Sequence, residues 1–236
     1  LINKQYFKKI KFMKNIFLLF ISLIIVIFFS ITSNANCQNF ANDSPSIGIL
    51  GDSFFTSGGN SCANLKQQLK KKFETNKVFN SSVAGATVFG FKSSSIKNQK
   101  LKFKPDILII GGGGNDFIKC GNNKDCLFGK INDFISPNLK TGMFIKLIKK
   151  YSHQNTLVFI VYTSILPEHA PSNLKLFEEI GLADAFNERV SKYASQNKNV
   201  YWVDVGKILS LDKSNDWKDD GFHPSVKGYK KIINNI

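Results

Sequence analysis

Beyond residue 45, short unbroken apolar runs alternate with stretches whose apolar positions recur every three or four residues. Ile47-Gly48-Ile49-Leu50 is the first run, Val78-Phe79 opens the second, and residues 107–110, 157–161 and 200–205 form three more. Their hydrophobicity is continuous rather than alternating, which predicts strands buried on both faces. Between the runs, Leu65, Leu69 and Phe73 step by four and predict a helix. Met143, Phe144, Leu147, Ile148 and Tyr151 make one face of another helix, and Phe186, Val190 and Tyr193 give a further stripe. Val226, Tyr229 and Ile233 open the last helix. Strands that alternate with helices predict an α/β fold, a parallel sheet covered on both faces. No repeat, second domain or long linker interrupts the pattern.

The first 35 residues do not follow it. Met13 reads as a start, followed by Lys14 and the apolar run 16–31, with small residues at Ser33 and Ala35. A charged segment, an apolar segment and a cleavage site predict a signal peptide cut after Ala35. The run is long for a signal core and short of the ~20 residues of a comfortable membrane span, so an uncleaved N-terminal membrane anchor is the alternative. The expected organisation is residues 1–35 as export segment and 36–236 as one domain, in a periplasmic or secreted protein. The four cysteines, Cys37, Cys62, Cys120 and Cys126, all lie beyond the cut. An even count in an oxidising compartment predicts two disulfides. Cys120–Cys126 is favoured because the five residues between them have loop composition, which leaves Cys37–Cys62. No C-x2-C spacing and no neighbouring His suggest a metal site.

The formal net charge is +15, with five of the lysines and no acid in residues 1–35. A basic chain can attract polyanions, but here the lysines are scattered. The runs Lys70-Lys71-Lys72 and 149–150 read as solvated helix ends, and no aromatic–basic motif accompanies them, so no nucleic-acid partner is expected.

Candidate chemistry gathers at the ends of the apolar runs. Gly51-Asp52-Ser53 follows the first, Asn80-Ser81-Ser82-Val83-Ala84-Gly85 the second, and Gly113-Gly114-Asn115-Asp116 the third. Asp220-Gly221-Phe222-His223-Pro224 lies near the C-terminus. In an open parallel sheet, active residues collect at the carboxyl ends of the strands, so the first three motifs should share one edge. A serine hydroxyl needs a base within hydrogen-bond reach to attack an ester, and His223 is the candidate. Gly-Asp-Ser and Gly-x-Asn-Asp are each weak signals alone and Asp-x-x-His-Pro is a moderate one; in this order and these contexts they are strong together.

These four blocks resemble the SGNH (GDSL-type) hydrolase family, over roughly residues 45–236, and most of all its exported esterase/thioesterase-like branch. The resemblance implies a flavodoxin-like, three-layer α/β/α sandwich with a five-stranded parallel sheet. It implies Ser53 as nucleophile, His223 as base and Asp220, rather than the adjacent Asp219, as the acid that orients the imidazole. The oxyanion hole would be the backbone N–H groups of Ser53 and Gly85 and the side-chain amide of Asn115. Asp52 reads as a structural acceptor in its turn. Two departures stand out. The glycine commonly found soon after the serine is displaced to Gly58, so a longer loop is expected there. Ala86 also stands where the thioesterase-like branch often has Asp.

Leu166-Pro167-Glu168-His169-Ala170-Pro171 falls where relatives carry a substrate-contacting loop, though His169 reads as a surface histidine. Ser94-x-x-Lys97 and Lys140-Thr141-Gly142 mimic fragments of penicillin-recognising enzymes, but the second adjoins a predicted helix and the Ser-Asp-Asn element is missing. No Gly-x-Ser-x-Gly elbow and no phosphate loop are present. The expected function is hydrolysis of carboxylic esters by a monomer acting on small-molecule or glycan esters, without metal or organic cofactor. A carbohydrate O-deacetylase or O-acyltransferase using the same residues is the alternative.

Overall fold

The computed structural model describes residues 44–56, 65–88, 95–162, 181–209, 215–221 and 223–236, all within one compact unit, Asn39–Ile236. The export segment, Cys37, Cys62, Gly58, Ser94 and the segment 166–171 with His169 lie outside the described residues. The chain runs β1 (Ile47–Leu50), α1 (Ser53–Thr56), α2 (Leu65–Lys72), β2 (Val78–Asn80), a 3-10 turn (Ile96–Asn98) and β3 (Ile107–Gly111). It continues through α3 (Gly114–Cys120), α4 (Lys124–Phe134), α5 (Met143–Tyr151), β4 (Leu157–Tyr162), α6 (Leu182–Ser195), β5 (Val200–Asp204), α7 (Val205–Ile208) and α8 (Val226–Asn234).

The five strands form one sheet in the order β2-β1-β3-β4-β5. Every pairing is parallel, with Ile47 opposite both Val78 and Ile107, and Ile107 opposite Leu157. Successive side chains of a strand point to opposite faces, and two cores result. Ile47, Ile49, Ile107 and Ile109 pack with Leu65, Leu69, Tyr229, Ile232 and Ile233 of α2 and α8. Leu50, Leu108, Ile110 and Ile160 pack with Phe117, Ile131, Phe144 and Phe186 of α3 to α6. Helices cover both faces, as the strand and helix pattern predicts, giving the three-layer α/β/α sandwich that the family resemblance implies. From β1 the chain steps outward to β2 and later returns to the other side of β1 as β3. The crevice at such a reversal of strand order is where open α/β sheets bind ligands.

Some local expectations are corrected. Ser53 opens a helical turn, α1, in which Phe55 N–H bonds the Asp52 carbonyl at 3.1 Å; the longer loop expected around Gly58 lies outside the described residues. β5 ends at Asp204 because that residue caps α7, its carboxylate accepting from Gly206 N–H at 3.2 Å. The loop composition between Cys120 and Cys126 spans only residues 121–123, since Asn123 caps α4 by accepting from Cys126 N–H at 3.0 Å. Cys120 and Cys126 are joined as expected, their Cα atoms 5.5 Å apart, which ties the end of α3 to the first turn of α4. Lys71, Lys72, Lys149 and Lys150 are exposed at helix ends. No helix among the described residues is long and apolar enough to cross a membrane.

Candidate active site

Ser53 opens α1 directly after β1 and is half-buried. The turn that presents it is held from beneath. Gly51 admits no side chain, because a Cβ there would meet the Phe55 ring at 2.4 Å and the Gly111 carbonyl at 2.8 Å. Its N–H donates to Gln99 Oε1 at 2.8 Å and its carbonyl accepts from Gln99 Nε2 at 2.5 Å. Gln99 is buried, and its own carbonyl accepts from the Tyr151 hydroxyl at 2.9 Å. Asp52 is the structural acceptor its position suggested. Its carboxylate is 2% exposed and accepts the N–H groups of Phe54 and Gly113, each at 3.0 Å. Burial pushes this carboxyl above the usual range, opposed by those two N–H groups and by the nearby imidazole of His223.

Gly85 and Asn115 reach the same edge from β2 and β3. Val83 N–H donates to the Gly51 carbonyl at 3.2 Å, and Asn80 Nδ2 donates to the Phe55 carbonyl at 3.1 Å, so the turn after β2 lies against the Ser53 turn. Gly85 is exposed and left-handed, with φ +70°, a conformation glycine adopts without steric cost. Asn115 sits in the first turn of α3, and its Nδ2 donates to the Ala86 carbonyl at 3.1 Å. That bond uses one amide N–H and orients the other as a donor. Asp116, buried next to it, accepts Val88 N–H at 2.7 Å and is likewise pushed up by burial. Three motifs far apart in sequence are thus stitched to one another by their own hydrogen bonds.

The fourth motif brings its own pair. Asp220 accepts the backbone N–H of His223 at 2.9 Å through Oδ1, while Oδ2 lies 2.8 Å from His223 Nδ1. An ionised carboxylate can only accept, which makes Nδ1 the donor of this contact. The histidine side chain is 17% exposed and the aspartate 46%. Gly221, at φ +63°, turns the loop, and Lys218 N–H closes it on the His223 carbonyl at 2.8 Å. Asp219 is exposed. The helix that follows this loop is tied to the Ser53 turn, the Tyr229 hydroxyl donating to the Phe54 carbonyl at 2.5 Å.

Residues 49–231 match the model of the GDSL-like lipase/acylhydrolase family. The chain belongs to this family. This GDSL-like protein is accordingly an ester-hydrolysing enzyme, and Ser53, Gly85, Asn115, Asp220 and His223 all fall within the matched span. Its fold is that of a lipase from a goat rumen metagenome, 18% identical, with TM-score 0.53 over 80% of this chain and 94% of that one. It is also that of the Clostridium thermocellum family 3 carbohydrate esterase, 22% identical, with TM-score 0.50 over 81% and 92%. A member of the lipolytic G-D-S-L family from Veillonella parvula is 14% identical, with TM-score 0.52 over 80% and 94%. No curated protein matches the chain. The turn that presents Ser53 is also held by two residues outside the motifs, Gln99 and Tyr229. A glutamine or tyrosine between motifs carries no local signal, and only the packing of distant segments reveals what it holds. Among the described residues no group of three His, Cys, Asp or Glu is placed to hold a metal ion.

Proposed function

We propose that this hydrolase cleaves carboxylic esters through an acyl-Ser53 intermediate and works outside the cytoplasm. Ser53 Oγ attacks the ester carbonyl while His223 Nε2 takes its proton. The carbonyl oxygen becomes an oxyanion facing the N–H groups of Ser53 and Gly85 and the second amide N–H of Asn115. The alkoxide leaves with the proton returned by His223. Water, deprotonated by the same nitrogen, then releases the acid and restores Ser53. Asp220 holds the imidazole tautomer and stabilises the imidazolium. These steps balance without a cofactor.

The observation that carries the reading is the 2.8 Å contact between Asp220 Oδ2 and His223 Nδ1, in a loop whose following helix is tied to the Ser53 turn. It leaves the other imidazole nitrogen as a base. The apolar run 16–31 and the joined pair Cys120–Cys126 support export. A glycan-borne ester is the second reading, favoured by the exposure of Val83, Ala84 and Gly85, which leaves the oxyanion side of the site open to a bulky substrate.

The test is a series of nitrophenyl esters of rising acyl length, with acetylated glycan as a parallel arm, on residues 36–236 and their Ser53→Ala variant. Turnover should fall about 10⁴-fold or more in the variant. Wild-type rates no better than the variant's on every ester would remove the acyl-serine mechanism.

A further inference from the structure

Tyr229 occupies an unusual place between the two halves of the site. It lies in α8, six residues after His223, and is 1% exposed in the core beneath the Ser53 turn. Its hydroxyl donates to the carbonyl of Phe54, the residue that follows Ser53, and its ring meets the Phe54 ring edge-on at 6.4 Å. α1 has only four residues, and so short a helix cannot satisfy its last carbonyls from within. Two side chains from elsewhere donate to these carbonyls. Asn80 serves the Phe55 carbonyl at 3.1 Å, and Tyr229 serves that of Phe54.

The other side of α8 is fastened to the loop that carries Asp220 and His223. Ser225 N–H donates to the Asp216 carbonyl at 2.8 Å, and Lys231 Nζ contacts the buried Asp216 carboxylate at 2.5 Å. Pro224 pairs with Trp217 across the loop. One helix therefore grips the imidazole loop at one side and the serine turn at the other. Packing alone would require only the ring of Tyr229; a buried hydroxyl is kept where it has a partner.

We propose that Tyr229 is a positioning residue of the hydrolase: through the Phe54 carbonyl it sets where Ser53 stands relative to His223. The inference rests on the reading of Ser53 as nucleophile and His223 as base. Misplacement of a reacting group by about 1 Å can cost on the order of 100-fold in rate, and the hydroxyl bond ties α8 directly to the serine turn.

The test uses the full chain and four variants: Tyr229→Phe, Ser53→Ala, the two combined, and Ile232→Val. Ile232 is buried in the same helix and the same core, so its variant reports what simple loosening of α8 does. On a nitrophenyl ester, Tyr229→Phe should lower kcat by about 10- to 100-fold with KM within twofold, while Ile232→Val leaves kcat unchanged. A phosphonate probe should label Ser53 more slowly by the same factor in Tyr229→Phe. In the Ser53→Ala background, Tyr229→Phe should remove nothing further, because residues acting through one another are not additive. An unchanged kcat in Tyr229→Phe, an equal loss in Ile232→Val, additive losses in the double variant, or a Tyr229→Phe chain that does not fold would each overturn the proposal. Full activity in Ser53→Ala would instead overturn the nucleophile assignment beneath it.

Discussion

At Asp52 the chain keeps a carboxylate almost out of water, with two backbone N–H groups as its partners. One partner belongs to the Ser53 turn and the other to the turn that leads to Asn115, so the two strand ends are held at a fixed spacing. Asparagine at this position retains one oxygen but turns an NH2 towards a backbone donor. The clash of two donors should cost about 1–3 kcal/mol of stability. The pH dependence has a definite sign. Burial raises the Asp52 pKa in the folded protein above its ordinary value, so the native state binds the proton more tightly than the unfolded chain. The contribution is fully present below the ordinary carboxylate pKa and is lost as pH rises through the raised one. The stability gap between wild type and Asp52→Asn should therefore be largest in acid, narrow through that window and stay level above it. Urea midpoints at a series of pH values measure it; a gap that widens towards neutrality would show that the carboxylate is not held above its usual range. The supporting role of Asp52 was legible, because an acid inside a turn that follows a buried strand has backbone donors at hand. That of Gln99 was not, since its partner lies 48 positions away.

Among the elements, α8 bears most directly on the site, and its closeness to the imidazole loop depends on Gly228. A Cβ on that residue would lie 2.1 Å from the Asp216 carbonyl oxygen and 3.1 Å from Pro224 Cβ. The carbonyl cannot retreat freely, because it accepts the Ser225 N–H at the start of the same helix. Alanine would improve helix propensity by about 0.8–1.0 kcal/mol. Overpacking against fixed backbone costs typically 1–3 kcal/mol, occasionally more, and a gap of 2.1 Å belongs at the upper end. Gly228→Ala should lose stability on balance and lower Tm by several degrees, at roughly 2–4 °C per kcal/mol for a domain of this size. Calorimetry on the variant decides it, and a raised Tm would mean that the helix can shift without loss. The helix itself was readable from the spacing of Val226, Tyr229 and Ile233. The strands were readable because all four residues of β1 and all five of β3 are buried, which forces apolar side chains on both faces. α4 was obscured. Leu127, Ile131 and Phe134 do repeat at helical spacing and are buried, but they follow a polar, glycine-bearing stretch that composition marks as loop. α1 and α7 have four residues each, less than any periodicity can reveal.

Over the whole molecule, the sheet order is what lets distant motifs meet. Ser53 and Asn115 follow adjacent strands, β1 and β3, on either side of the reversal, and Gly85 follows β2 at the edge. The parallel sheet could be foreseen from alternating strand and helix patterns. The place of the imidazole loop could not, because it follows α7 rather than a strand end and is fixed by α8. Among the described residues, helices cover both faces of the sheet and fill a core on each. Asn39–Ile236 forms one compact unit. A domain with a complete sheet and two filled faces has what it needs to fold by itself. Residues 39–236 expressed alone should therefore unfold in a single cooperative transition, with Tm within about 2 °C of the full chain, a difference worth no more than about 1 kcal/mol at this size. They should hydrolyse a nitrophenyl ester with the kcat of the full chain. A broad or split transition with lost turnover would mean that the first 38 residues supply packing to the catalytic unit. A sharp transition with lost turnover would instead mean that they supply something to the site alone. The two outcomes separate in one pair of measurements because stability here resides in cores spread along the sheet, while the proposed site draws on a few loops.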